Sequence, residues 1–186
     1  TPTPPSAIAS CLVGSEMCIR DRIHISTGDL FRNNIKNKTQ LGLMARSFMD
    51  QGKLVPDQVT VDMLKNEVTK NDKANGFIFD GFPRTISQAE ILDKFLNSIK
   101  MNITATISLD VEDSVLEKRL IKRGKISGRI DDQNLDKIRN RFKEYNKKTF
   151  PLINYYKSCN KFHSISGTGS IYKIRDKLVN LIDQLN

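Results

Sequence analysis

The sequence predicts an α/β domain in which a parallel sheet is wrapped by helices. Three observations lead there. The 186-residue chain is long enough for one sizeable core and too short for two domains. Its composition, 38% hydrophobic and 27% charged, is ordinary for a globular protein. Short apolar runs of strand character alternate with longer stretches of helical period. No apolar stretch approaches the roughly 20 residues of a membrane-spanning helix, so no membrane partner is expected. The 30 Lys+Arg against 21 Asp+Glu give a net charge of +9, which favours an anionic partner, either nucleic acid or small phosphorylated ligands. Three cysteines, Cys11, Cys18 and Cys159, fit neither a disulfide framework nor a zinc site. They read as reduced thiols, hence a cytoplasmic location. Thr1 to Pro5 lacks the basic start of a secretory signal.

Residues 1–22 stand apart from the rest. All 19 Lys and all 15 Asn lie in residues 23–186, where chance would put about four or five of them in the first twenty-two. Three of the six prolines crowd into positions 2, 4 and 5. The segment is expected to be a non-native leader, a cloning scar or a mis-assembled reading frame, with residues 23–186 forming the single domain.

From Ile23 the elements come in order. Ile23 to Ser26 is a short strand, and Thr27 to Ile35 and Leu41 to Gln51 are helices. Pro56-Asp57 opens another helix, with Val59, Met63, Leu64 and Val68 at helical spacing. Asn75-Gly76 is a turn, then Phe77 to Asp80 reads as a strand buried in a parallel sheet. Ser87 to Asn97 is helical, Ala105 to Leu109 a strand, and Glu112 to Arg123 a helix ending at Gly124. Leu135, Ile138, Phe142 and Tyr145 mark one face of a further helix. Phe162 to Ile165 is the last strand. Ser170 to Leu185 closes the chain, with Ile174, Leu178, Leu181 and Leu185 inward.

Ligands of open parallel sheets bind at the carboxyl ends of the strands, so the residues just past each strand are the candidates. After Ser26, Thr27 is a natural helix N-cap whose neighbouring N–H groups attract an anion, and Arg32 is placed to pair with a phosphate. After Phe79, Asp80 ends a buried strand, where a carboxylate needs a stabilising partner such as Mg²⁺ bound through water. Gly81 permits close backbone approach, and Pro83 fixes the chain ahead of Arg84. Asp110, another strand-end carboxylate, leads into a helix and is expected to cap it. Finally Arg119, Lys122, Arg123, Lys125 and Arg129 crowd a loop with Gly124 and Gly128, as a mobile phosphate-closing lid requires. Asp131 or Asp132 then caps the next helix. On that helix the period does not choose between Arg139 and Arg141.

Taken together, Ser26 to Arg32, Gln51 to Pro56, Asp80 to Arg84 and Ser127 to Asp132 strongly resemble the adenylate kinases, nucleoside monophosphate kinases of the short-lid form, in the same order and spacing. The resemblance covers Ile23 to the C-terminus. It implies a P-loop-kinase-like parallel sheet, an AMP-binding helical insert over 26–55 and a short lid over 123–133. It implies reversible transfer of the ATP γ-phosphoryl group to AMP, giving two ADP, by a monomer with Mg²⁺ as cofactor, no structural zinc and no nucleic acid. Thr27, Arg32, Lys53, Leu54, Val55, Gly81, Phe82, Pro83, Arg84 and Gln88 would hold AMP. Asp80 would hold Mg²⁺ through water. Arg84, Arg123, Arg129 and Arg141 would clamp the phosphates, with Arg129 and Arg141 reaching the AMP side, and the resemblance selects Arg141 over Arg139. Arg119 and the backbone of Gly169 would meet the ATP adenine. Thr27 and Gln88 lean toward adenine as the acceptor base.

One departure stands against the match. The family's first strand runs into a phosphate loop of the form Gly-x-x-x-x-Gly-Lys-Ser/Thr, and that pattern is nowhere in this sequence. Even if Ala7 to Val13 imitated the strand, ten residues before His24 are too few for a parallel crossover. The expectation is therefore a sheet without its first strand, with two bare edges, and a chain that is nearly inactive and poorly stable as written. The alternatives are an inactive AMP-binding remnant and a basic α/β nucleic-acid-binding module.

Overall fold

A computed structural model describes residues 6–10, 22–51, 53–128, 132 and 134–185. Five strands form one parallel sheet: β1 (Ser6–Ser10), β2 (Ile23–Ser26), β3 (Gly76–Asp80), β4 (Asn102–Asp110) and β5 (Phe162–Ser166). Their spatial order is β2-β3-β1-β4-β5. The helices are α1 (Thr27–Lys36), α2 (Gln40–Met49), α3 (Asp57–Lys70), α4 (Ile86–Ser98), α5 (Asp113–Ser127), α6 (Leu135–Glu144), α7 (Leu152–Ser158) and α8 (Ile171–Gln184). A π-helical turn, Tyr145–Thr149, comes directly after α6.

Four consecutive residues of β3, Gly76 to Phe79, are buried, because a parallel sheet is covered on both faces. Phe77 and Phe79 pack with Ile25 of β2, Leu64 and Val68 of α3, Leu92 and Leu96 of α4 and Tyr156 of α7. Ile107 of β4 packs with Leu178 and Ile182 of α8. A third cluster, Phe31, Ala45, Val55 and Met63, joins α1, α2 and α3 beside the sheet. The first cluster packs β2 and β3 against α3, α4 and α7, and the third sets α1, α2 and α3 beside their carboxyl ends.

The structure differs from the sequence reading at several points. Ser6–Ser10 occupies the central place expected to lack a strand, pairing parallel with β3 and with β4. The described strand covers Ser6–Ser10, and β2 follows from Ile23. The facing edges of β3 and β4 are thus paired, where two bare edges were expected. Helix α5 does not stop at Gly124 but runs to Ser127, ending where Gly128 turns left-handed at φ +66°. Ser26, not Thr27, caps α1, its hydroxyl accepting from the Asp29 N–H. Asn134, not Asp131 or Asp132, caps α6. Glu112 sits at the start of α5 and no side chain caps it, so Asp110 does not. On α6 only Ile138 is fully buried, whereas Leu135 and Tyr145 are exposed. No helix among the described residues is long and apolar enough to cross a membrane.

Candidate functional site

Where β2 and β3 end, two turns are tied together. Thr27, 3% exposed, directs its hydroxyl at the carbonyls of Gly81 (3.2 Å) and Asp80 (3.4 Å). Gly81 sits at φ +69°, a backbone conformation that favours glycine, and a side chain there would lie 2.9 Å from the Arg84 guanidinium and displace it. Arg84 folds back, its Nε donating to the Gly81 carbonyl at 2.7 Å. Its backbone is held from both sides: the N–H donates to Gln88 Oε1 at 2.7 Å, and the carbonyl accepts from Thr149 Oγ1 at 2.9 Å.

These turns form one wall of a cleft. The lining is Thr27, Gly28, Phe31, Met49, Lys53, Leu54, Val55, Thr60, Gly81, Phe82, Arg84 and Gln88. Eight residues assigned to AMP by sequence stand in that lining: Thr27, Lys53, Leu54, Val55, Gly81, Phe82, Arg84 and Gln88. Pro83 is buried beside them and does not line the cleft. Arg32 stands over Gly28, its Nη2 3.0 Å from where a side chain there would begin. It pairs with Asp29 on the same helix. Arg46 lies apart, exposed and paired with Asp50 at 3.4 Å.

Arginines also gather across the carboxyl edge. Asp132, fully buried, accepts from Arg123 Nε and from Arg141 Nη1, each at 2.6 Å. One carboxylate thereby aligns two guanidinium groups from α5 and α6. Arg139 instead meets Glu117 at 4.0 Å and is largely exposed, so the structure separates the two residues that helical period leaves equivalent. Arg119 Nη1 donates to the Gly167 carbonyl at 2.8 Å, which brings it to the loop after β5. Gly169 in that loop is left-handed at φ +109°, with open space beside its Cα. Arg129 lies outside the described residues.

Asp80 closes β3 with His24 Nε2 3.6 Å from its Oδ2. That nitrogen is buried without a hydrogen-bond partner. No group of three or more His, Cys, Asp or Glu gathers among the described residues. A strand-end carboxylate such as Asp80 suits a cation that keeps its waters and takes its other ligands from phosphates, as Mg²⁺ does.

Sequence reasoning missed Asp57, Asp132 and Thr149. Asp57 Oδ1 and Oδ2 accept from Gln88 Nε2 and Thr85 Oγ1, both at 2.8 Å. The sequence signal for Asp57 is only that of an acid in a helix's first turn. For Asp132 it is a cap-like acid before a helix, and Thr149 carries none. Phe31, Met49 and Thr60 were likewise readable only as core positions.

A parallel sheet whose carboxyl edge carries an apolar cleft with convergent polar groups, flanked by aligned arginines, defines a nucleotide-binding α/β protein. Comparison with known proteins narrows the class. The adenylate kinase family profile matches residues 16–161. The adenylate kinase of Flavobacterium psychrophilum is 56% identical over 162 residues, spanning 87% of this chain and 85% of that protein. That of Flavobacterium johnsoniae matches with the same identity and coverage, and that of Parabacteroides distasonis is 43% identical over 162 residues. The chain belongs to the adenylate kinase family.

Proposed function

We propose that this protein holds AMP in the cleft between β2, β3 and the α2–α3 connection and transfers to it the γ-phosphoryl group of Mg·ATP, giving two ADP. The observation that carries the reading is the convergence on that cleft of seven motif residues together with Gln88. Thr27 and Gly81 bring backbone close, Val55, Phe31 and Met49 offer apolar surface to a base, and Gln88 offers an amide edge. Arg84 and Arg32 meet the AMP phosphate. The Arg32–Asp29 pair is on the surface, where such pairs are worth about 0–1 kcal/mol, so its exchange for a phosphate is cheap.

Arg123 and Arg141, aligned by Asp132, meet the transferring phosphates together with Arg129. Arg119 and the Gly167–Gly169 loop take the ATP base. Asp80 would hold Mg²⁺ through water; when bound, the ion neutralises charge on the phosphate oxygens. Transfer needs little covalent help, so the protein's part is positioning and charge. The protein is read as a cytoplasmic monomer, which sedimentation would test.

A second reading, an AMP-binding chain with little turnover, is favoured by one specific observation: no Gly-x-x-x-x-Gly-Lys-Ser/Thr occurs in the sequence. Residues 1–22, with one glycine and no lysine, are proposed to be non-native in sequence, although Ser6–Ser10 pairs within the sheet. A basic nucleic-acid-binding role is disfavoured, because Arg84 stands in the cleft and Arg123 and Arg141 converge on Asp132, gathered instead of spread over a face. Calorimetry with AMP, alongside an ADP-formation assay, tests these readings. Binding with turnover supports the first, binding without turnover the second, and absence of AMP binding refutes both.

A further inference from the structure

We propose that Asp57 sets the base selectivity of the cleft by fixing which way round the Gln88 amide stands. The inference rests on the reading of Gln88 as the residue facing the AMP base.

Gln88 is 2% exposed and lines the cleft. The two orientations of an amide are nearly identical in shape, so only hydrogen-bond partners distinguish them. Here both ends meet partners of a single kind. A carboxylate only accepts, and Asp57 Oδ1 takes the Nε2 hydrogen at 2.8 Å. A backbone N–H only donates, and that of Arg84 meets Oε1 at 2.7 Å. A reversed amide would set oxygen against the Asp57 carboxylate and N–H against N–H at Arg84.

Thr85 completes the circuit. Its hydroxyl hydrogen goes to Asp57 Oδ2 at 2.8 Å, so its oxygen is left to accept the Gln88 backbone N–H at 3.1 Å. The carboxylate thus gives direction to the two bonds it accepts, and the backbone N–H groups of Arg84 and Gln88 give direction to the other two. An amide has two N–H donors and two oxygen lone pairs. The protein takes one of each, which leaves one donor and one acceptor for a ligand.

Their order on the amide edge is the selective element. Adenine offers an amino donor beside a ring-nitrogen acceptor, whereas a 6-oxopurine offers the reverse: an oxygen acceptor beside a ring N–H donor. In one pose, a locked Gln88 pairs with the first and meets the second donor to donor. Size plays no part, since the bases are nearly the same shape. Sites built to hydrogen-bond a polar group discriminate in this way because a mismatch leaves buried groups unpaired. Asp57 is not itself in the lining; it is a positioning residue.

The test is calorimetric titration of AMP and inosine monophosphate into the full chain, Asp57→Asn, Thr85→Val and Gln58→Ala. Gln58, the next residue on α3, is exposed and bonds only to Asp62. The unaltered chain is expected to prefer AMP, Asp57→Asn to lose about tenfold or more of that preference, and Thr85→Val to lose less. Gln58→Ala should retain it. The preference is a ratio of two affinities, so a partly unfolded sample does not distort it. A lower melting temperature with an unchanged ratio in both Asp57→Asn and Thr85→Val would mean that Asp57 serves only the start of α3, and would overturn the proposal alone. No AMP binding by the unaltered chain, or binding without preference, would overturn the reading of Gln88 and this inference with it.

Discussion

The side of the sheet's carboxyl edge proposed for the acceptor and the side proposed for the donor are built differently. On the acceptor side, Thr27, Gly81, Arg84 and Gln88 are connected to one another by hydrogen bonds or close backbone contact. Each is thereby held before any nucleotide arrives. On the donor side the pieces stand on separate supports. Arg119 leans on Gly167, and Arg123 and Arg141 on Asp132. The glycine-rich loop with its lysine, which would join them to the sheet in this family, is absent from the sequence. The contrast teaches that different segments of the chain supply the two proposed sites, so that each can be altered without the other.

The largest effect expected from this contrast concerns turnover. Replacing residues 1–22 with a start that carries a Gly-x-x-x-x-Gly-Lys-Thr loop should raise ADP formation by about 10²–10³ or more, the usual weight of one such electrostatic contact. AMP affinity should stay nearly constant. Comparable turnover in the two proteins would break the contrast. Next in size is Arg84→Ala, which removes a charged hydrogen-bond donor worth about 1.5–3 kcal/mol. AMP affinity should fall at least tenfold on calorimetry, while Arg46→Ala, out on the surface of α2, leaves it unchanged.

Asp132→Asn tests the donor side. It leaves two arginines without their shared carboxylate, a change that costs about 3–5 kcal/mol when all partners are buried. Arg123 and Arg141 are 30% and 28% exposed, so about 1–2 kcal/mol is expected in chemical unfolding. A bisubstrate dinucleotide should lose more affinity than AMP does. The smallest effect is one of dynamics. Ile126 to Gly128, at the exposed end of α5, should exchange amide hydrogens faster than Phe77 to Phe79, and slow when a bisubstrate dinucleotide binds. Equal protection in the unliganded protein would show that this end of the lid is rigid.

Much of this was legible in the sequence, for identifiable reasons. β3 announces itself because both faces are covered and its apolar run is unbroken. The cleft is legible because its residues come as short contiguous motifs at strand ends. Asp57 was not, since its role depends on Gln88, 31 positions away, and locally it is only an acid after a proline. Gly124 misled for a related reason. It reads as a helix stop, yet a side chain there would meet the Asp132 carbonyl at 2.5 Å. The glycine serves close approach between α5 and the segment after it, and the helix continues past it. β1 was not foreseen because its pairing residues, Ser6 to Ser10, lie in the segment whose composition sets it apart from the rest of the chain.

The separation of the two sides can be tested by titrating AMP alone into isotope-labelled protein and monitoring backbone amide resonances. Thr27, Val55, Gly81 and Gln88 are expected to shift together to saturation, while Arg119, Gly167 and Gly169 stay in place. Equal shifts in both groups would show that the two sides act as one unit, and no shift in the first group would show that the cleft is not an AMP site.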